Sequence, residues 1–166
     1  AAAELRATWG EGTDVSVGRR IDELLRSSEP RLKGLVVCDH DEEINLRVEE
    51  LRRLEFILYL GAFSNPFADL AHVILPAVAY AEADGTYTNT DRRIQLNRRK
   101  IEPRFESRPA WRILTDLAGR LGQAWAYASA EDVFADIRRL VPAYAGASYA
   151  RLAERTGGLQ WPVDAS

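Results

Sequence analysis

At 166 residues the chain has the length of one ordinary domain, and 46% apolar with 28% charged residues is a globular composition rather than a disordered or fibrous one. A net charge of -3 lacks the basic excess of a dedicated nucleic-acid binder, and no apolar run reaches the roughly 18 residues that a membrane span requires. One cysteine, Cys38, excludes an internal disulfide, fits a reducing compartment, and is too few for a cubane iron–sulfur cluster, which needs about four ligands.

The opening Ala1 to Trp9 carries Glu4 and Arg6 among alanines, without the basic-then-apolar layout of a signal peptide, and does not begin with Met. Both ends read as cuts from something longer. The first helix is expected over Ser16 to Ser27, where Val17, Ile21, Leu24 and Leu25 recur at helical spacing, and Glu29-Pro30 stops it. Gly34 to Cys38 is a short continuous apolar run and reads as a buried strand. Asp39 or Asp41 is placed to cap a helix from about Glu43 to Arg53, with acids in its first turn and arginines in its last.

A second buried strand, Phe56 to Leu60, and a third, His72 to Leu75 closed by Pro76, follow on either side of a turn through Ser64-Asn65-Pro66. Strand, helix, strand, short helix, strand is a parallel α/β unit: a partial, Rossmann-like sheet of about three strands. From about Tyr80 to Ser107 the chain is polar and irregular, long for a connection, and such loops usually line a site or an interface. Within it Thr86–Asn89 and Arg93–Asn97 are expected to pair as a hairpin with Ile94 and Leu96 facing in and Arg93, Gln95 and Asn97 facing out.

The remainder reads as a helical extension. Pro109 opens a helix striped by Leu114, Leu117, Ala118 and Leu121 and ended by Gly122. Ser129 with Asp132 forms a capping-box start for a helix through Leu140, and Ser148 to Arg155 gives a shorter one. The division this suggests is 1–107 for the α/β part with its loop and 108–166 for the helical part.

Residue chemistry alone identifies no reaction. Asp39-His40-Asp41 stands at a strand end, where α/β sheets place ligands, and carboxylates can orient a histidine; without a second His or Cys nearby, a capping role is the better reading. His72 is expected to be a packed or edge histidine, and Cys38 a core thiol. Trp111, Trp125 and Trp161 read as packing residues rather than stacking platforms. No glycine-rich phosphate loop and no Ser-His-Asp set occurs. Seven basic residues between Arg92 and Arg108, mixed with Asp91, Glu102 and Glu106, would suit an anion or nucleic-acid module, or equally a solvated face or a subunit contact; with only Tyr87 and Phe105 nearby, single-strand stacking is a poor fit.

Longer stretches carry a likeness. Ala68-Asp69-Leu70-Ala71-His72-Val73-Ile74-Leu75-Pro76-Ala77 resembles the "LADVVLPA" segment of molybdopterin oxidoreductases. Glu82 to Gln95 is similar to their "EKDGTFTNTERRVQ", and Glu102-Pro103 with Arg108-Pro109-Ala110-Trp111 to their "EPPGEARPDW". Pro142 to Gly146 and Gly157 to Pro162 look like the tail of formate dehydrogenase alpha subunits, so that the likeness runs from about Leu54 to Pro162.

The resemblance implies a fragment of an oxidoreductase large subunit: its third, Rossmann-like domain, which in that family grips a molybdopterin guanine dinucleotide. If that cofactor is bound, Asn89, Arg92, Arg93 and Gln95 are the contacts implied. Iron–sulfur clusters and the metal ligand belong to regions outside this chain. Yet Leu60 and Gly61 stand where the family has a small polar residue and an aspartate, and Ala83 and Ala110 replace a lysine and an aspartate. Each charge-assisted bond lost costs about 1.5–3 kcal/mol. A kept skeleton with erased contacts is similar to the molybdopterin-derived structural subunit in the peripheral arm of NADH-quinone oxidoreductase. The expectation is thus a segment with no complete active site and no cofactor of its own, supporting iron–sulfur electron transfer, with a formate dehydrogenase catalytic subunit as the alternative. Its implied partners are other domains of the same large subunit and other subunits of a complex, without nucleic acid or a direct membrane span. The implied location is the cytoplasm, at the membrane face through such a complex.

Overall fold

The computed structural model describes residues 21–26, 32–38 and 48–165. They form two compact units, and both units draw on chain either side of residue 107: the described part of Val17–Ala79 with Pro103–Ile113 makes one, and Tyr80–Glu102 with Leu114 onward makes the other.

The first unit holds helix α1 (Ile21–Arg26), strand β1 (Gly34–Cys38), α2 (Val48–Leu51), β2 (Phe56–Gly61), α3 (Pro66–Leu70) and β3 (Val73–Pro76). The strands form a parallel sheet in the order β1-β2-β3, with Val36 opposite Leu58 and Leu60 opposite Leu75. The expected α/β class and three-strand parallel sheet are therefore present. Side chains alternate across a strand, so Val37, Ile57 and Tyr59 share one face, and there they join Leu51, Leu54, Phe67 and Ala68 in a buried cluster. Of the expected first and second helices Ile21–Arg26 and Val48–Leu51 are described as helix, the second ending before Arg52 and Arg53, which lie in a turn, and Asp39, His40 and Asp41 lie outside the described residues.

Two burial expectations fail. Cys38 is exposed: it follows Val37 and so points to the opposite sheet face, and on that face the edge strand β1 leaves Val36 and Cys38 uncovered while Leu58 and Leu60 of the central strand are buried. The first and third strands are the edges of the sheet among the described residues, with Val36, Val73 and Ile74 exposed, rather than buried strands.

In the second unit β4 (Gly85–Thr88) and β5 (Arg93–Asn97) pair antiparallel with Thr86 opposite Leu96, and a two-residue strand β6 (Leu159–Gln160) adds to β5. Ile94 is fully buried with Phe134, Ala147, Tyr149, Leu152 and Leu159. Helix α4 (Ala110–Arg120), which belongs to this unit from Leu114 and to the first unit up to Ile113, ends at Gly122, whose φ of 85° takes the left-handed conformation that favours glycine at a helix end. Helix α5 (Ala130–Leu140) begins with the expected capping box, Ser129 Oγ accepting from Asp132 N while the Asp132 carboxylate accepts from Ser129 N. Ser148 caps α6 (Tyr149–Ala153). Among the described residues no helix is long and apolar enough to cross a membrane.

Candidate functional site

Open parallel sheets bind ligands beyond the carboxyl ends of their strands. At the end of β2 the sequence offers Leu60, which is fully buried, and Gly61, also buried. Tyr59, two residues before Gly61 on the same face, leans along the strand over it. A Cβ built on Gly61 would lie 2.2 Å from the Tyr59 hydroxyl oxygen and 2.4 Å from Cζ. The hydroxyl donates to Phe63 O at 2.7 Å and accepts from Asn65 Nδ2 at 3.0 Å. Asn65 Oδ1 in turn accepts from Phe67 N and Ala68 N, capping α3. One tyrosine therefore fixes the whole β2–α3 loop, and the absent side chain of residue 61 is the space it uses. Tyr59 was not legible as a loop-fixing residue; the available signal was an aromatic in an aliphatic strand two residues before a glycine.

Among the described residues, His72 and Ala110 hold structural positions. His72 is an edge histidine: its Nδ1 accepts from Ile57 N at 3.0 Å, its own N–H donates to Ile57 O, and its ring stacks on Phe56 at 6.0 Å. Ala110 is the first residue of α4 and presents only a methyl group. Among the described residues no group of three or more His, Cys, Asp or Glu could hold a metal.

Asn89, Arg92, Arg93 and Gln95 all lie on the β4–β5 hairpin and are exposed. Asn89 Oδ1 accepts from Arg93 N at 2.9 Å and its carbonyl accepts from Arg92 N, so this residue closes the turn. Arg92 takes a left-handed backbone, φ 60°, and its guanidinium lies 5.9 Å over the Trp161 ring. Arg93 Nη1 donates to Gly157 O. The Gln95 side chain takes no part in these contacts. Asn97, expected to face out, instead donates Nδ2–H to both Tyr80 O and Ala83 O at 2.7 Å, which ties the irregular strand approach to the hairpin. Ala83 thus contributes its carbonyl rather than a side chain.

Elsewhere in this unit Tyr127 donates to Asp136 Oδ2 at 2.5 Å, and Arg139 Nε bonds the other carboxylate oxygen at 3.1 Å. The tyrosine bond, ahead of Arg139, holds the Asp136 carboxyl below the ordinary carboxylate range. Tyr149 is buried beside α5, and desolvation, reinforced by Asp84 and Glu131, pushes its hydroxyl up while Arg98, 5.5 Å over the ring, opposes. Trp161 packs on Tyr144 at 6.3 Å, as expected of a packing residue.

The family model for molybdopterin oxidoreductases matches residues 13–120, well over half of the chain. The chain belongs to the molybdopterin oxidoreductase family. Over 161 residues, 93% of this chain, it is 34% identical to the F420-dependent formate dehydrogenase subunit alpha of Methanocaldococcus jannaschii. Over 123 residues, 74% of this chain, it is 42% identical to a putative formate dehydrogenase of Staphylococcus aureus. The chain spans 24% and 12% of the lengths of those two relatives. Acetylene hydratase from Pelobacter acetylenicus shares the fold, with a TM-score of 0.64 at 13% identity over 84% of this chain and 20% of that one.

A family member implies a molybdenum cofactor in the whole protein, and the described residues can be tested against it. The end of β2 does not fit a charged dinucleotide. Leu60 is fully buried on the sheet face opposite Tyr59, Gly61 has no side chain, and the Tyr59 hydroxyl already spends its bonds on Phe63 and Asn65. Buried charge or phosphate needs charge-assisted partners, and Tyr59, Leu60 and Gly61 offer none.

Proposed function

We propose that this chain is a supporting segment of the large subunit of a formate dehydrogenase-type oxidoreductase, one that shapes the fold without gripping the cofactor through the end of β2. The reading is carried by the 34% identity with a formate dehydrogenase alpha subunit, sustained over 161 residues. The hairpin contacts favour a supporting role as well: Asn89 and Arg93 are committed to the turn and to Gly157, and Arg92 to Trp161. Its partners are then the other domains of the same polypeptide and the other subunits of its complex.

The test is made on the full-length polypeptide. Metal analysis should give about one molybdenum or tungsten per large subunit, and formate should reduce a dye in a metal-dependent way. Absence of both sinks this reading. A second reading, a cofactor-free large subunit of the NADH-quinone oxidoreductase type, is favoured by one observation: Leu60, Gly61, Ala83 and Ala110 offer no ionic or hydrogen-bonding side chain. It expects neither metal nor the fluorescence of oxidised pterin.

A further inference from the structure

The segment leading into α5 brings an indole, a phenol and a carboxylate into line. Trp125, 45% exposed, lies with its ring centroid 6.1 Å from that of Tyr127, tilted by 58°. The Tyr127 hydroxyl donates to Asp136 Oδ2 at 2.5 Å, and Arg139 Nε holds the other carboxylate oxygen at 3.1 Å. All four residues belong to the second unit. Trp125, Tyr127 and Asp136 also line an open cavity of about 660 Å³, whose apolar wall is Val133, Ile137 and Leu140. An indole this exposed buries too little area to be explained by packing alone.

A phenol gives up an electron far more readily when a base stands at hydrogen-bond distance to take its proton, because the alternative is a cationic ring. At rest the proton stays on the tyrosine: their shared bond raises the Tyr127 phenol and lowers the Asp136 carboxyl, which is therefore ionised and able to accept. Tyr149 is the contrast, since its hydroxyl is buried without a hydrogen-bond partner and its proton has no acceptor. We propose that Tyr127 is a redox-active tyrosine, with Asp136 as its proton acceptor and Trp125 as the exposed relay through which a one-electron oxidising radical reaches it. The radical takes one electron from the Trp125 indole and leaves as its anion. Tyr127 returns an electron to the indole; its O–H bond breaks and the proton passes to Asp136 Oδ2, leaving a neutral phenoxyl beside a protonated carboxyl. A small organic reductant entering the cavity gives back the electron, and the proton returns from Asp136 to the phenolic oxygen. Stray oxidising equivalents are thereby collected and quenched at one place.

Pulse radiolysis of the full-length polypeptide with azide radicals provides the test. Indolyl absorbance should give way to phenoxyl absorbance in a first-order step independent of protein concentration, and a nitroso spin trap should label Tyr127, located by peptide mapping. Tyr127→Phe should remove that phase and that label, and Trp125→Phe should reduce the label. Asp136→Asn keeps the side-chain shape but cannot take the proton, and should slow phenoxyl formation about tenfold or more. Heavy water should slow the wild-type step, a readout that a merely structural Tyr127 would not move. A phase unchanged in Tyr127→Phe, a label that falls elsewhere, or a rate unchanged in Asp136→Asn overturns the proposal. None of these outcomes depends on metal content or formate oxidation.

Discussion

Gly61→Ala is the sharpest perturbation of the β2 end. The added Cβ would sit 2.2 Å from the Tyr59 hydroxyl oxygen, 2.4 Å from Cζ and 2.8 Å from Cε1, all inside any tolerable contact. The ring cannot yield cheaply, since Tyr59 is only 3% exposed and packs within the cluster of Ile57 and Phe67. Displacing it sacrifices the bonds to Phe63 O and Asn65 Nδ2, about 0.5–1.5 kcal/mol each, and overpacks the core at about 1–3 kcal/mol. The expected loss is about 2–6 kcal/mol in urea unfolding. Tyr59→Val removes the obstacle at its own cavity cost, and in that background Gly61→Ala should cost less than about 0.5 kcal/mol. The comparison is a double-mutant cycle, so the cavity cost cancels and only the coupling between the two positions remains. Equal costs of Gly61→Ala in both backgrounds would refute the claim that Tyr59 occupies the space of residue 61.

Other perturbations follow from the same contacts. Asn65→Ala removes the α3 cap and the Tyr59 partner together, and should lower stability by about 1–2 kcal/mol, with faster amide exchange at Phe67 and Ala68. Asn97→Ala leaves Tyr80 O and Ala83 O without their side-chain donor and should cost about 1–3 kcal/mol, whereas Gln95→Ala, on the exposed side of the same strand, should stay within about 0.5 kcal/mol. The Asp136 carboxyl, held low first by Tyr127, lends stability that is present above its ordinary value of 3.8 and is lost as pH falls through its depressed folded value. Tyr127→Phe should remove most of that acid-side dependence, read by carboxyl carbon NMR titration; an unchanged Asp136 titration in that variant would count against the assigned cause.

Much of the fold was legible because its signals are local. The apolar runs at Gly34–Cys38 and Phe56–Leu60, the period-two hairpin and the Ser129–Asp132 capping box each depend on residues a few positions apart. Burial was less legible, because it depends on what covers each face. Cys38 and Val73 carry the residue types of a core and stand exposed, on the sheet face away from the Val37–Tyr59 cluster or at an edge. The two-residue β6 has too few residues to show a period, and nothing in Leu159-Gln160 announces its pairing with Arg93-Ile94. The candidate site was visible as a likeness of motifs, and the four hairpin residues do lie together. What their side chains do was not visible: the partner of Arg93 is 64 residues away, and Arg92 takes a left-handed backbone without being a glycine.

The claim that the β4–β5 hairpin supports the enzyme without gripping its cofactor is tested most directly by molybdenum content per folded full-length polypeptide, measured beside the melting temperature for the wild type, Arg93→Ala and Gln95→Ala. We predict about one metal in all three proteins, with a lower melting temperature for Arg93→Ala alone. Loss of metal in either variant at an unchanged melting temperature would contradict it.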